Sequence, residues 1–81
     1  MSTLTQIIAI ITNRPNYLHH IVLDDSSNLV LVLTQDAHLF SLVDGRWQEL
    51  TPPEAKALSQ SHNHSGSWEM MEEHALGLAR V

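Results

Sequence analysis

Two histidines in the stretch SHNHSGSW, His62 and His64, lie two positions apart, and His74 follows ten residues after the second. A catalytic zinc ion takes about three protein ligands, which these histidines, or His62 and His64 with Glu69, could supply. However, the pair lies among Ser and Gly, and a His-x-His pair is most persuasive on a strand, where alternate side chains share a face. No carboxylate stands three or four residues before His74, so the helical H-E-x-x-H motif is absent. We predict no metal and no cofactor, and keep a metal site at His62, His64 and His74 as an alternative.

No other stretch carries a catalytic arrangement. The chain has no cysteine, no G-x-S-x-G motif and only isolated glycines. Asp24 and Asp25 adjoin in a turn, whereas a glycosidase needs two carboxylates that face each other across a sugar. We therefore predict a protein that is not an enzyme.

The charge of the chain narrows the class of partner. Nine acidic residues face four basic ones, for a net charge of −5, and the basic residues are scattered. Because no basic cluster could neutralise phosphates, we predict no direct binding to nucleic acid. An acidic mimic of nucleic acid, which would block a nucleic-acid-binding protein, remains an alternative. No apolar run approaches the roughly 20 residues of a membrane span, and no signal peptide is recognisable, so we predict a cytoplasmic protein without membrane contact.

The elements that must position these residues are short. We predict a single α+β domain over residues 1–81, with an N-terminal helix, a four-stranded antiparallel meander and two short C-terminal helices. The first helix lies in TLTQIIAIITNRP, where Thr3 and Gln6 have the spacing of a capping box and apolar residues recur at helical intervals. The segment from Asn13 to Asn16, with Pro15 inside, ends it. The predicted strands are YLHHIVL, LVLVLT, HLFSLV and RWQEL. Asp44-Gly45, between the last two, is a strong hairpin signal.

The two C-terminal helices are predicted from their first residues. Thr51 is a good N-cap, Pro52 suits the first helical position, and Glu54 completes a capping box. After the polar segment SHNHSGS, we expect Ser67 to cap the last helix. Its apolar stripe consists of Trp68, Met71, Ala75 and Leu78.

The strand LVLVLT has no polar face, so both of its sides must be covered. Helices would naturally cover one face of the sheet, and we expect the other to bind a partner, with a homodimer through that face as the commonest form. The alternative is that the three helices cover both faces.

We therefore predict a small protein-binding module, an inhibitor or accessory factor that sterically covers a surface of a partner protein. Aromatic residues at a sheet face or edge would anchor the partner, because such residues are enriched at binding hot spots, and acidic residues would steer it. The predicted partner-binding residues are Tyr17, Phe40, Trp47, Asp24, Asp25 and Asp44. Trp68 heads an apolar stripe and is expected in the core, whereas Trp47 could lie in the core or at the surface. His19 and His20 should point to opposite faces of their strand.

Overall fold

The computed structural model describes residues 3–79. The elements follow in the order α1 (Leu4–Thr12), β1 (Tyr17–Asp24), β2 (Leu29–Thr34), β3 (Leu39–Val43), β4 (Arg46–Leu50), α2 (Pro52–Ser61) and α3 (Ser65–Ala79). The predicted α+β arrangement of helix, four strands and two helices is confirmed. Within these residues, no helix has the length and apolar character that crossing a membrane requires.

Two capping boxes begin α1 and α2 as the sequence predicts. Thr3 Oγ1 accepts from the Gln6 amide at 3.2 Å, and Gln6 Oε1 accepts from the Thr3 amide at 2.9 Å. Thr51 and Glu54 repeat this exchange at 3.4 and 2.8 Å. Each box satisfies backbone donors that have no partner inside the helix, which fixes where the helix begins.

The sheet is a meander in which each strand pairs with its neighbours in sequence, in the order β1-β2-β3-β4. The β3–β4 turn has Asp44 at φ 48° and Gly45 at φ 87°, the pair of positive angles that the predicted hairpin requires. In β1, the register shifts between Tyr17 and His19 and again between Val22 and Asp24. The strands β1 and β4 are therefore the two edges, and β1 is an irregular one.

The helices cover both faces of the sheet, so the expectation of one uncovered face is wrong. On one face, Ile7 and Ile11 of α1 pack in a single cluster with Val30, Val32 and Leu42. On the other face, the cluster below α2 and α3 contains Ile21, Leu23, Leu29, Leu31, Leu33, Leu39, Ala55, Trp68 and Met71. The strand β2 is thus covered on both sides by its own chain. The homodimer through a sheet face remains a prediction, but the bare face on which it was based is absent.

The helix α3 begins earlier than the sequence indicates. The Trp68 amide donates to the His64 carbonyl at 2.9 Å, so the helix starts at Ser65 and Ser67 lies inside its first turn. Only three residues separate α2 from α3, and Asn63 among them has φ 61°. The prediction that Ser67 caps the helix is therefore wrong, because the chain reverses at Asn63. The predicted stripe is confirmed: Trp68 and Met71 are buried, and Ala75 and Leu78 pack against them.

Replacing Ile11 with Ala should lower the free energy of unfolding by about 2–5 kcal/mol, because its side chain is fully buried between α1 and the sheet. Its neighbour Ile10 is 57% exposed, so Ile10→Ala should change that free energy by less than about 0.5 kcal/mol. Urea denaturation followed by circular dichroism measures both variants. Equal losses in the two would mean that α1 does not pack on the sheet.

Candidate functional site

Tyr17, Phe40 and Trp47 lie on the same face of the sheet. They come from β1, β3 and β4, and all three are half-buried at the margin of the cluster that α1 covers. The strand register explains the placement, since Phe40 pairs with Val32 and Trp47 pairs with Leu42. The side chains of cross-strand partners share a face, and Val32 and Leu42 both belong to this cluster.

A groove opens beside two of these aromatic residues. It has a volume of about 340 Å³ and is lined by Arg14, Asn16, Thr34, Asp36, Phe40 and Trp47. The turn after α1 supplies the first two residues, the end of β2 and the following turn supply the next two, and β3 and β4 supply the aromatic rings. We call this site the aromatic groove.

The indole of Trp47 is held from two sides. The Arg14 guanidinium carbon lies 4.5 Å from the centre of its ring, and the Phe40 ring meets it edge to face at 5.8 Å with an interplanar angle of 79°. Both contacts suit the quadrupole of an aromatic ring, whose face is negative and whose edge is positive. Arg14 forms no ion pair with a carboxylate of residues 3–79. The groove therefore presents a pre-positioned indole beside a cation that forms no ion pair within the described part of the chain.

Tyr17 shares this face but does not line the groove. Its hydroxyl makes a 2.8 Å hydrogen bond with His20 Nδ1. Burial lowers the pKa of His20, which favours the neutral imidazole. The ring of Tyr17 thus packs against the cluster under α1, while its hydroxyl bonds to a histidine of the same strand.

One end of the aromatic groove carries a small charged network. Thr34 Oγ1 donates to Asp36 Oδ1, and this bond is the main cause that lowers the Asp36 pKa. His38 Nδ1 lies 2.9 Å from Glu49 Oε2, and its Nε2 lies 3.8 Å from Asp36 Oδ2. The hydrogen bond to Glu49, followed by the charge of Asp36, raises the His38 pKa. Protonated His38 therefore joins two carboxylates from neighbouring turns and strands.

The three predicted aspartates lie together, but at the other end of the sheet from Thr34 and Asp36. Asp24 ends β1, Asp25 follows in the β1–β2 turn, and Asp44 is in the β3–β4 turn, where its amide donates to the Asn28 carbonyl at 3.4 Å. Asp24 Oδ1 accepts from the Ser26 hydroxyl at 2.7 Å and from its amide at 3.0 Å. Hydrogen bonds from Ser26, chiefly its hydroxyl, and from Ser27 lower the Asp24 pKa.

The structure does not bring His62, His64 and His74 together. No group of three potential ligands among His, Cys, Asp and Glu is close enough to hold a metal ion in the part of the chain that is described. His74 instead lies against His19, with 5.3 Å between the ring centres. Burial, followed by the charges of His74 and His20, lowers the pKa of His19. The two adjacent histidines do point to opposite faces, because His19 meets α3 while His20 meets Tyr17.

The sequence interpretation missed four of the six residues that line the groove, namely Arg14, Asn16, Thr34 and Asp36. Arg14 had a partial signal, because it follows a predicted helix and precedes Pro15 in a turn. Its contact with Trp47, however, joins distant parts of the chain. No local spacing predicts such a contact.

Comparison with protein-family models, curated proteins and solved structures finds no match for this chain. The functional interpretation therefore depends on the geometry of the groove and on its charges.

Replacing His38 with Gln should lower stability at pH 5.5 more than at pH 8. The folded state raises the His38 pKa above its ordinary value of 6.5, so the stabilisation is fully present below pH 6.5 and is lost as the pH rises through the higher folded value. Urea denaturation of the protein and the variant across pH 5.5–8 measures the difference in free energy of unfolding. His62→Gln is the control, since His62 forms no ion pair within residues 3–79. A difference that stays constant with pH would contradict the network.

Proposed function

We propose that this protein is a small non-enzymatic protein-binding module, an inhibitor or accessory factor that covers a surface of a partner protein through the aromatic groove. The observation that carries the proposal is the half-exposed indole of Trp47 between the Phe40 ring and the Arg14 guanidinium. Tryptophan and arginine are the residue types most enriched at binding hot spots. Here both border a concave surface of about 340 Å³.

The packing of the groove favours binding without a large entropic cost. Trp47 is already fixed by two ring contacts, so little side-chain freedom remains to be lost when a partner docks. A partner side chain that enters the groove would bring its own backbone against the sheet surface. The action would be steric, because a partner surface seated on the groove is closed to other molecules.

The charges support a role in steering. The net charge is −5, and carboxylates lie at both ends of the sheet, with Asp24, Asp25 and Asp44 at one and Asp36 and Glu49 at the other. Acids around an interface accelerate the approach of a basic partner more than they tighten the final complex. We therefore infer a partner with a basic surface around the segment that it presents.

The chemistry of the groove also favours binding over catalysis. Its one carboxylate, Asp36, has a lowered pKa because Thr34 donates a hydrogen bond to it. A general base works best with a pKa near the operating pH, so a carboxylate stabilised in its charged form is a weak candidate.

The charge reversal Arg14→Glu tests the proposal with a matched control. Arg14 and Arg46 are both exposed, but only Arg14 lies over Trp47 and lines the groove. The tagged protein captures partners from lysate of its source cells, and the affinity for a captured partner is then measured with purified components. We expect Arg14→Glu to weaken binding at least tenfold and Arg46→Glu to change it less than threefold.

A second variant, Trp47→Ala, should weaken the same complex about 30-fold, which corresponds to the loss of a typical hot spot. Denaturation midpoints of all variants show whether the fold is intact. If only chaperones are captured, or if both arginine variants weaken binding equally, the groove is not the binding site. Light scattering of the free protein, compared with the chain mass of 9.1 kDa, tests the predicted homodimer separately.

A further inference from the structure

A second cavity lies on the opposite face of the sheet from the aromatic groove. It has a volume of about 240 Å³ and is lined by Ala37, Leu39, Pro52, Trp68, Glu72, Ala75 and Leu76. Leu39 and Trp68 belong to the core cluster under α2 and α3, whereas Phe40 and Trp47 of the groove pack with α1. We call this cavity the α3 pocket. Apart from Glu72, its lining is apolar or aromatic.

Trp68, which lines the α3 pocket, carries a hydrogen-bond donor that has no partner among residues 3–79. Trp68 is 2% exposed, and its indole Nε1–H is buried without an acceptor among the described residues. Buried polar groups in folded proteins are nearly always paired, and an unpaired one lowers stability. An occupant that brings an acceptor to this nitrogen would remove that penalty, so the site favours a ligand with an apolar body and a carbonyl-type oxygen.

Acidic side chains lie on α3 at and near the residues that line the pocket. Glu72 lines it, and Glu69 and Glu73 lie within one turn of Glu72 on the same helix. All three are exposed, and none forms an ion pair within residues 3–79. Leu76, which also lines the pocket, is 50% exposed. The surface therefore combines an apolar cavity with acidic side chains that have no ion-pair partner among residues 3–79.

We propose that the α3 pocket binds a basic, apolar peptide segment of a partner protein. One or two leucine-sized side chains enter the cavity, and a backbone carbonyl of the segment accepts from Trp68 Nε1–H. Flanking lysine or arginine side chains pair with Glu72 and its acidic neighbours. This surface lies on the opposite face from the aromatic groove, so the inference goes beyond the proposed function and does not depend on it.

The dimensions favour a peptide over a free small molecule. Sites for drug-sized ligands usually enclose about 300–1,000 Å³, and 240 Å³ holds one or two apolar side chains. The acids Glu69 and Glu73 lie outside the cavity, so only a ligand that extends beyond it can reach them. Because Trp68 Nε1 is closed to solvent in the free protein, a lining side chain must move when the segment enters. Leu76 can change rotamer, since half of its surface faces solvent.

The indole N–H resonances in nitrogen-15 NMR spectra provide a direct test. The protein has two tryptophans, so a Trp47→Phe variant assigns the Trp68 resonance by elimination. The probe is a 12-residue synthetic peptide of leucine and lysine. Two control peptides replace every leucine with serine or every lysine with glutamate. We expect the leucine–lysine peptide to move the Trp68 N–H resonance downfield in a saturable manner, and both controls to bind at least tenfold more weakly.

Matched variants separate the pocket from the rest of the helix surface. Leu76 and Met70 are both large, exposed and on α3, but only Leu76 lines the pocket. Leu76→Ser should weaken binding of the leucine–lysine peptide at least tenfold, and Met70→Ser should weaken it less than twofold. In the same way, Glu72→Lys should weaken peptide binding at least tenfold. Asp25→Lys makes the same change of charge in the β1–β2 turn and should change peptide binding less than threefold.

Several results would overturn the inference. Equal binding of the serine–lysine peptide would mean attraction to acids alone, and equal effects of Leu76→Ser and Met70→Ser would mean a non-specific apolar contact. A Trp68 shift that depends on protein concentration without peptide would mean self-association. If the peptide moves the Trp47 resonance instead, it binds the aromatic groove. Arg14→Glu should leave binding to the α3 pocket unchanged, so failure here and failure of the proposed function are distinguishable.

Discussion

The burial of β2 on both faces is the constraint on which the rest of the structure depends. Its residues from Leu29 to Leu33 are all buried, so each face of this central strand needs its own cover. The helix α1 packs on one face of the sheet, and α2 and α3 pack on the other. The turn after α1 helps to line one cavity, and residues of α2 and α3 help to line the other.

The helices that cover each face also determine which side chains line each cavity. On the α1 side, the helix ends at Thr12 and leaves the indole of Trp47 half-exposed. The turn that follows the helix places Arg14 over this indole. That edge is polar at its rim and aromatic in its floor. On the other side, α3 buries Trp68, which lines an apolar cavity and whose N–H has no acceptor among residues 3–79. One tryptophan is therefore available at the surface, whereas the other is part of the core. The two cavities lie on opposite faces of the sheet.

The electrostatics of the histidines follow from position rather than from residue type. His38 lies at an exposed rim between two carboxylates, which raise its pKa. His19 and His20 lie in a partly covered edge strand, where burial lowers their pKa values. Between pH 5.5 and 8, these groups change stability in opposite directions, since a raised value favours the protonated folded state and a lowered value disfavours it. The opposite contributions of these histidines therefore partly cancel in the pH dependence of the stability of the unaltered protein. Variants of single histidines separate them.

The sequence by itself determined the features that arise from neighbouring residues. The capping boxes at Thr3 and Thr51 each join two residues that are three positions apart in sequence. The Asp44-Gly45 turn needs only two adjacent residues with positive φ. The stripe that buries Trp68 follows from helical periodicity alone. These elements, joined by short connections, were sufficient to predict the α+β meander.

Only the tertiary structure decided how distant parts of the chain meet. The stacking of Arg14 on Trp47, the pairing of His19 with His74 and the covering of the second sheet face all depend on packing between elements. Even the start of α3 depended on the reversal at Asn63, which let the helix begin before Ser67. Local hydrogen bonds and turn angles can be read from residue spacing, because both partners are close in sequence. Contacts between elements cannot, because they are fixed by the way whole helices pack on the sheet.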